Sequence, residues 1–195
     1  MLDIAKPEDI QQLLSALAEQ LAAAGDRREL VVVGGSPLLA LGIIDRPTKD
    51  VDVVALLDAG LLRKADPLPP ELLAARDRVS RDFGLPADWL NSGPAGLMDH
   101  GLPQGFIDRV ETRSFGPGLA VHFASRLDQI HFKLYALVDQ GVGKHEQDLR
   151  ALDPTANELI QAARWTRTHD PPDGFRQMLE KALRYLGVEG ADLGA

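Results

Sequence analysis

The stretch LVVVGGSPLLALGIIDRPTKDVDVVALLD, Leu30 to Asp58, constrains the fold more than any other part of the chain. Leu30–Val33 is a short β-branched run and reads as a buried strand. Gly34–Gly35–Ser36 breaks it. Ser36–Gly42 is short and apolar, which predicts a helix whose first turn starts at Ser36 or Pro37. Val51–Leu57 predicts a second strand, with Asp50 and Asp52 at its head. A chain that alternates in this way is committed to an α/β arrangement in which a glycine turn joins a buried strand to a helix.

Each half of this stretch has a plain account. A Gly-Gly-Ser turn lets backbone approach a ligand and presents N–H groups at the positive end of a helix, but it is also an ordinary turn. It is neither a Walker loop, since no Gly-Lys-Ser/Thr follows, nor G-x-G-x-x-G. Asp50 and Asp52, two residues apart on a strand, share one face while Val51 and Val53 point into the core. Two carboxylates that close repel unless a cation lies between them, and Mg²⁺ suits such oxygens while keeping positions for triphosphate. A solvated pair at a strand end is the bland alternative. The spacing after Gly-Gly-Ser, with Arg46–Pro47–Thr48–Lys49 leading in, favours the cation.

Elsewhere the pattern is coarser. Ile10, Leu13, Leu14, Leu17 and Leu21 fall at helical spacing, so residues 7–24 predict an amphipathic helix that Pro7 opens and Gly25 stops. Residues 58–105 are less regular, with a charged helix over Glu71–Phe83 and a turn then a loop or short helix at PADWLNSGPAG. Phe106–Ser114 and Leu119–Ala124 read as two strands joined across Gly116–Pro117–Gly118. From Ser125 the pattern is helical: 125–140, about 144–152, 155–168 and 174–187. The α/β (α+β) fold expected is a small mixed sheet flanked by helices with a C-terminal helical part. Residues 1–124 would form the core, and 125–195 would complete the same cleft.

Composition excludes more than it selects. At 195 residues with no cysteine there is no disulfide framework, zinc knuckle or thiol chemistry. A formal charge of −8 argues against nonspecific coating of nucleic acid. No apolar run approaches the ~20 residues of a membrane span, and the opening MLDIAKPEDIQQLL is no signal peptide. The cytoplasm is the expected location. The five histidines show no ligand spacing, and G-x-S-x-G is absent. His131 and Trp89 read as packed residues.

Gly34–Gly35–Ser36 followed by Arg46-x-Thr48-x-Asp50-x-Asp52 resembles the signature of the polymerase-β-like nucleotidyltransferase superfamily. In the segment Ser125–Leu152, Ser125 and Asp128 suggest a capping box. Leu127, Ile130, Leu134, Leu137 and Val138 form a buried stripe, and Lys133 lies at its edge. There a lysine can lay its stem on apolar surface and send its ammonium into a cleft, or simply sit at the surface. Asp148 on the following helix would, alone, be an exposed residue. Together these helices resemble the AbiEii-type nucleotidyltransferases, which include the toxins of AbiE and MenT toxin–antitoxin pairs. The likeness extends to Trp89–Leu90–Asn91 and to the tail PTANELIQAARWTRTHD.

The resemblance implies a pyrophosphate-releasing transfer of a nucleoside monophosphate from an NTP. It implies that Asp50 and Asp52 hold Mg²⁺ (or Mn²⁺). Gly34, Gly35 and Ser36 would cradle the phosphates, with Arg46 and Thr48 as further nucleotide contacts. Lys133 would neutralise phosphate charge, and Asp148 would orient Lys133 or assist the incoming hydroxyl. The acceptor implied is the tRNA 3′ end, with a protein or small-molecule hydroxyl as alternatives, and a cognate antitoxin as partner. The larger superfamily often adds a third metal carboxylate on a later strand. Here Asp108 and Glu111 are the nearby acids, in no recognisable pattern. The reading from another class is a non-catalytic module that keeps the fold and perhaps nucleotide binding. A Rossmann-like dinucleotide binder ranks behind both, lacking the third glycine.

Overall fold

The computed structural model describes residues 4–169 and 173–193. Its architecture is a six-stranded mixed sheet flanked by helices, with a helical C-terminal region. Residues up to Asp99 together with Ile107–Ala124 form one compact unit, and His100–Phe106 with the chain from Ser125 form a second.

In the first unit, α1 (Pro7–Ala23) buries Ile10, Leu13, Leu14, Leu17 and Leu21. Pro7 opens it, and the Asp9 carboxylate accepts from the Lys6 backbone N–H at 2.9 Å, meeting a donor that the helix leaves over. Gly25, at φ 72°, turns the chain out of it. The central strand β1 (Arg28–Val33) ends in four buried residues. It leads through the six-residue α2 (Gly35–Ala40) towards β2 (Val51–Asp58). β2 runs antiparallel to β1, while β6 (Leu119–Phe123) runs parallel to it on the other side. β5 (Glu111–Ser114) closes one edge against β6. At the other edge β2 carries two partners: β3 (Leu61–Lys64) on Ala55–Asp58 and the two-residue β4 (Leu90–Asn91) on Val51–Asp52.

The β1–β2 ladder contains a bulge. Val31 pairs with Ala55 and Val32 with Val53, so Val54 is the extra residue. It lies between the body of the strand and its aspartate end, where a bulge changes the direction in which the neighbouring side chains point. Trp89 is fully buried, and its indole N–H donates to the Arg76 carbonyl of α3 (Pro70–Phe83) at 3.2 Å. Its own carbonyl accepts from Val51 N at 2.6 Å, which ties β4 to the start of β2.

Two segments depart from the sequence reading. Phe106–Ser114 is not one strand: a helical turn, α4 (Phe106–Arg109), precedes β5. The alternation in Phe-Ile-Asp-Arg imitates a strand, but one turn of helix buries Phe106 alone and leaves Ile107 exposed. PADWLNSGPAG holds β4 as well as the start of a 3₁₀ turn, Gly93–His100. Gly118, in the expected turn between β5 and β6, has a packing reason. A Cβ there would collide with the Ala18 carbonyl and stand 2.8 Å from Ala22 N of α1. Gly118→Ala should therefore destabilise by about 2–3 kcal/mol through overpacking, read as a lowered urea midpoint. An unchanged midpoint would mean that α1 yields freely at this contact.

In the second unit, α5 (Arg126–Gln140) packs with α6 (Lys144–Ala151), α7 (Ala156–His169) and α8 (Asp173–Tyr185). The tail PTANELIQAARWTRTHD forms α7 except for its ends, and its last residue, Asp170, lies outside the described residues. Ser125 caps α5 by accepting from Asp128 N at 3.2 Å. Its hydroxyl in turn donates to the Asp128 carboxylate at 2.6 Å, so the expected capping box closes on the side chain rather than the backbone. A fuller box opens α7. Thr155 Oγ1 accepts from Glu158 N at 3.2 Å, and Glu158 accepts from Thr155 N at 2.8 Å.

Glu158 also takes the Arg126 guanidinium at 2.7 Å, and Arg126 reaches the carbonyls of Leu152 and Asp153. This arginine, with the two Thr155 donors, holds the Glu158 carboxyl down from 4.5 to about 2. A depressed acid stabilises the fold fully above its ordinary value and loses that contribution as pH falls through its folded value. The stability difference between wild type and Glu158→Gln should be full at neutral pH and shrink from pH 4.5 towards 2, in urea midpoints taken across that range. A difference independent of pH would refute the pairing.

Candidate nucleotide site

The first unit carries the glycine turn and the aspartate pair. Gly34 ends β1 with φ 86°, a left-handed value that glycine adopts without strain. The turn is also sterically closed. A Cβ at Gly34 would lie 2.6 Å from Asp52 Oδ2, and one at Gly35 would lie 2.9 Å from Thr48 Oγ1 and 3.6 Å from Arg46 Nη2. Thus the backbone of Gly34–Gly35 rests directly on the side chains of Asp52, Thr48 and Arg46. Gly34 is favoured by its φ, and a side chain at either glycine would have to displace Asp52 or Thr48.

The positions of the aspartates are set by strand geometry. Asp50 immediately precedes β2, and Asp52 is its second residue, directly opposite Val33 of β1. Val51 and Val53 are fully buried, whereas Asp50 and Asp52 are half-buried, as alternation requires. The loop before them is fixed at Thr48, whose N–H and carbonyl pair with Ile4 at 2.9 and 3.0 Å. Thr48 is itself buried and offers its hydroxyl to the Asp50 carbonyl at 3.4 Å. The Arg46 guanidinium also donates to the Pro47 carbonyl at 3.1 Å.

Ser36 stands apart. Its side chain is fully buried, and its Oγ has no hydrogen-bond partner. A buried hydroxyl left unmatched costs about 1–3 kcal/mol, so its retention calls for a physical reason.

In the second unit the structure brings Lys133 and Asp148 together. Lys133 Nζ lies 2.8 Å from Asp148 Oδ2, with 5% and 1% of the two side chains exposed. The sequence reading put Lys133 at the edge of an apolar stripe and left Asp148, by itself, exposed. Both are buried because α5 is buried all round from Asp128 to Leu134, polar residues included. His131 lies in the same run, with Nδ1 2.8 Å from the Leu127 carbonyl.

The fit to a divalent cation is chemical. Asp50 and Asp52 supply hard oxygen donors beside a turn whose glycine backbone lies against Asp52 and Thr48. Among the described residues no three Asp, Glu, His or Cys side chains gather as a metal cluster. Neither acid considered as a third ligand joins the pair. Glu111 is bound to Arg113 at 2.6 Å, and Asp108 is an exposed residue of α4. Two carboxylates match a cation shared with phosphate oxygens.

The strand–glycine turn–helix unit rests its backbone on a strand-borne aspartate, and its motif order resembles that of nucleotidyltransferases. The chain belongs to the family described as nucleotidyltransferase of unknown function (DUF6036), whose model matches residues 9–151. That span takes in the glycine turn, the aspartate pair and both helices bearing Lys133 and Asp148. No curated protein and no solved structure matches the chain. Among the described residues no helix is long and apolar enough to cross a membrane.

Proposed function

We propose that this protein transfers a nucleoside monophosphate from an NTP to the 3′-terminal hydroxyl of tRNA, as the toxin of a toxin–antitoxin pair. The observation that carries the transfer is the Gly34–Ser36 turn. Its backbone rests on Asp52, and the buried Ser36 hydroxyl beside it lacks a partner. A triphosphate laid on this turn would give the orphaned hydroxyl an acceptor and direct the N–H groups of Gly35 and Ser36 at phosphate oxygens.

The acceptor oxygen forms a bond to the α-phosphorus as the bridging oxygen to the β-phosphorus leaves with its electron pair, giving pyrophosphate. The acceptor proton passes to solvent. Asp50 and Asp52 would hold Mg²⁺, or Mn²⁺ in its place, which when bound draws charge from the triphosphate oxygens. Arg46 and Thr48 line the turn as nucleotide contacts. Lys133 is assigned to developing phosphate charge, and Asp148, its ion-pair partner, to orienting it. The tRNA acceptor and the antitoxin partner rest on the likeness of the motif order to AbiEii and MenT proteins.

The test is incubation with Mg²⁺, each α-³²P-NTP in turn and total tRNA, with Asp52→Asn alongside. Label entering tRNA with wild type alone supports the transfer and its tRNA acceptor. Label entering protein would keep the transferase and overturn the tRNA acceptor. Neither label nor Mg-NTP binding would hand the site to the non-catalytic alternative.

A further inference from the structure

β4 is only two residues long, yet its register places a side chain beside the aspartate pair. Leu90 is paired with Val51 and Asn91 with Asp52, in parallel. Residues directly paired across neighbouring strands, about 4.8 Å apart, project to the same face. Burial agrees: Val51 and Leu90 are both fully buried, while Asp52 and Asn91 are both half-buried. The Asn91 carboxamide therefore shares the face of the Asp52 carboxylate. It is oriented by its own loop: Oδ1 accepts from Gly93 N at 2.8 Å in an Asx turn, and Nδ2 donates to the Asp88 carbonyl at 3.5 Å. A Cβ at Gly93 would come within 3.0 Å of that oxygen. β4 itself is fixed by the buried Trp89, through its hydrogen bonds to Val51 and Arg76.

We infer that Asn91 is the residue that sets the charge of the aspartate site. Of the two strand positions paired with Asp52, Val33 of β1 is a buried apolar residue, and a neutral carboxamide occupies the other, from which a third carboxylate would reach it. The site thereby has two carboxylates, those of Asp50 and Asp52, with the Arg46 guanidinium against the same turn. Ligand charge count is one lever on divalent-cation affinity, so a site with two carboxylates binds a cation more weakly than one with three and releases it more readily. The cation then enters with the triphosphate and leaves with pyrophosphate, and the empty site does not suffer the repulsion of three clustered carboxylates. This inference rests on the transferase reading, specifically on Asp52 as a metal ligand.

The test is direct binding of Mn²⁺, monitored by electron paramagnetic resonance, to wild type, Asp52→Asn, Asn91→Asp and Asn91→Ala. It is run without nucleotide and again with a non-hydrolysable NTP. Asn91→Asp should bind free Mn²⁺ at least ~10-fold more tightly than wild type. In EDTA it should melt at a lower temperature, restored by Mn²⁺, so a variant that folds only with the ion also supports the inference. Asn91→Ala should remain within about twofold of wild type, since it leaves the charge unchanged. Unchanged affinity in Asn91→Asp, with Asp52→Asn still abolishing binding, overturns the role of Asn91 alone. Loss of binding in Asn91→Ala overturns it too, by making Asn91 a ligand. Binding that survives Asp52→Asn would remove the metal site and this inference together.

Discussion

Asp52→Asn is expected to lower nucleotidyl transfer by at least about 10³-fold while the protein keeps its fold. The substitution preserves the side-chain volume that supports Gly34, whose backbone lies against Oδ2. The pairing of residue 52 with Val33 and Asn91 is a backbone matter and also survives. The loss is one of the two carboxylates that would draw a divalent cation to the triphosphate. The measurements are initial rates of label transfer together with the urea midpoint. Turnover within tenfold of wild type would remove Asp52 from the chemistry. A collapse of the midpoint would mean that the residue serves the fold first.

The second large effect falls on stability. Lys133→Met leaves Asp148, with 1% of its side chain exposed, facing an apolar neighbour where an ammonium stood at 2.8 Å. Breaking a buried pair by removing one partner costs about 3–5 kcal/mol, because a charge stays behind in a poorly solvating place. Replacing both, as Lys133→Met with Asp148→Leu, should recover most of that loss, since an apolar pair of similar volume is often neutral or better. The double variant separates structure from chemistry. If Lys133 serves phosphate, the double variant is stable and inactive. If the pair only holds α5 to α6, it is stable and active. Equal instability of the single and double variants would show that the ion pair does not govern the packing here.

The long, strongly periodic elements were legible in the sequence. Ile10, Leu13, Leu14, Leu17 and Leu21 marked α1, all of them buried, and the breaks at Gly34 and before Val51 located β1, α2 and β2. The elements that escaped were short or lay at an edge. β3 is exposed enough, with Leu61 65% accessible, to show no buried alternation. Its hairpin turn uses Ala59–Gly60, both at positive φ, in place of the Asn-Gly or Asp-Gly that would have announced it. β4 is too short for any period. In the site, Asp50 and Asp52 were visible because strand alternation is local, and Gly34 because a strand must have a reason to stop. The placement of Asn91 beside Asp52 was not visible, since it depends on a pairing across 39 positions of chain. Nor was the burial of Lys133: a stripe read from one helix says nothing of neighbours on its other faces.

The extra residue at Val54 divides β2 into two mechanically distinct lengths. Ala55–Asp58 is keyed to β3, while Val51–Asp52 is keyed to β4, and the two are joined by a joint that tolerates a change of phase. The exposed Asp58–Ala59–Gly60 tip lies on the β3 side of that bulge, at the end of the strand away from the aspartates. The hairpin tip is thus the natural port for an inserted reporter or affinity handle, a place where the chain can be opened without rewriting the site at the strand's other end.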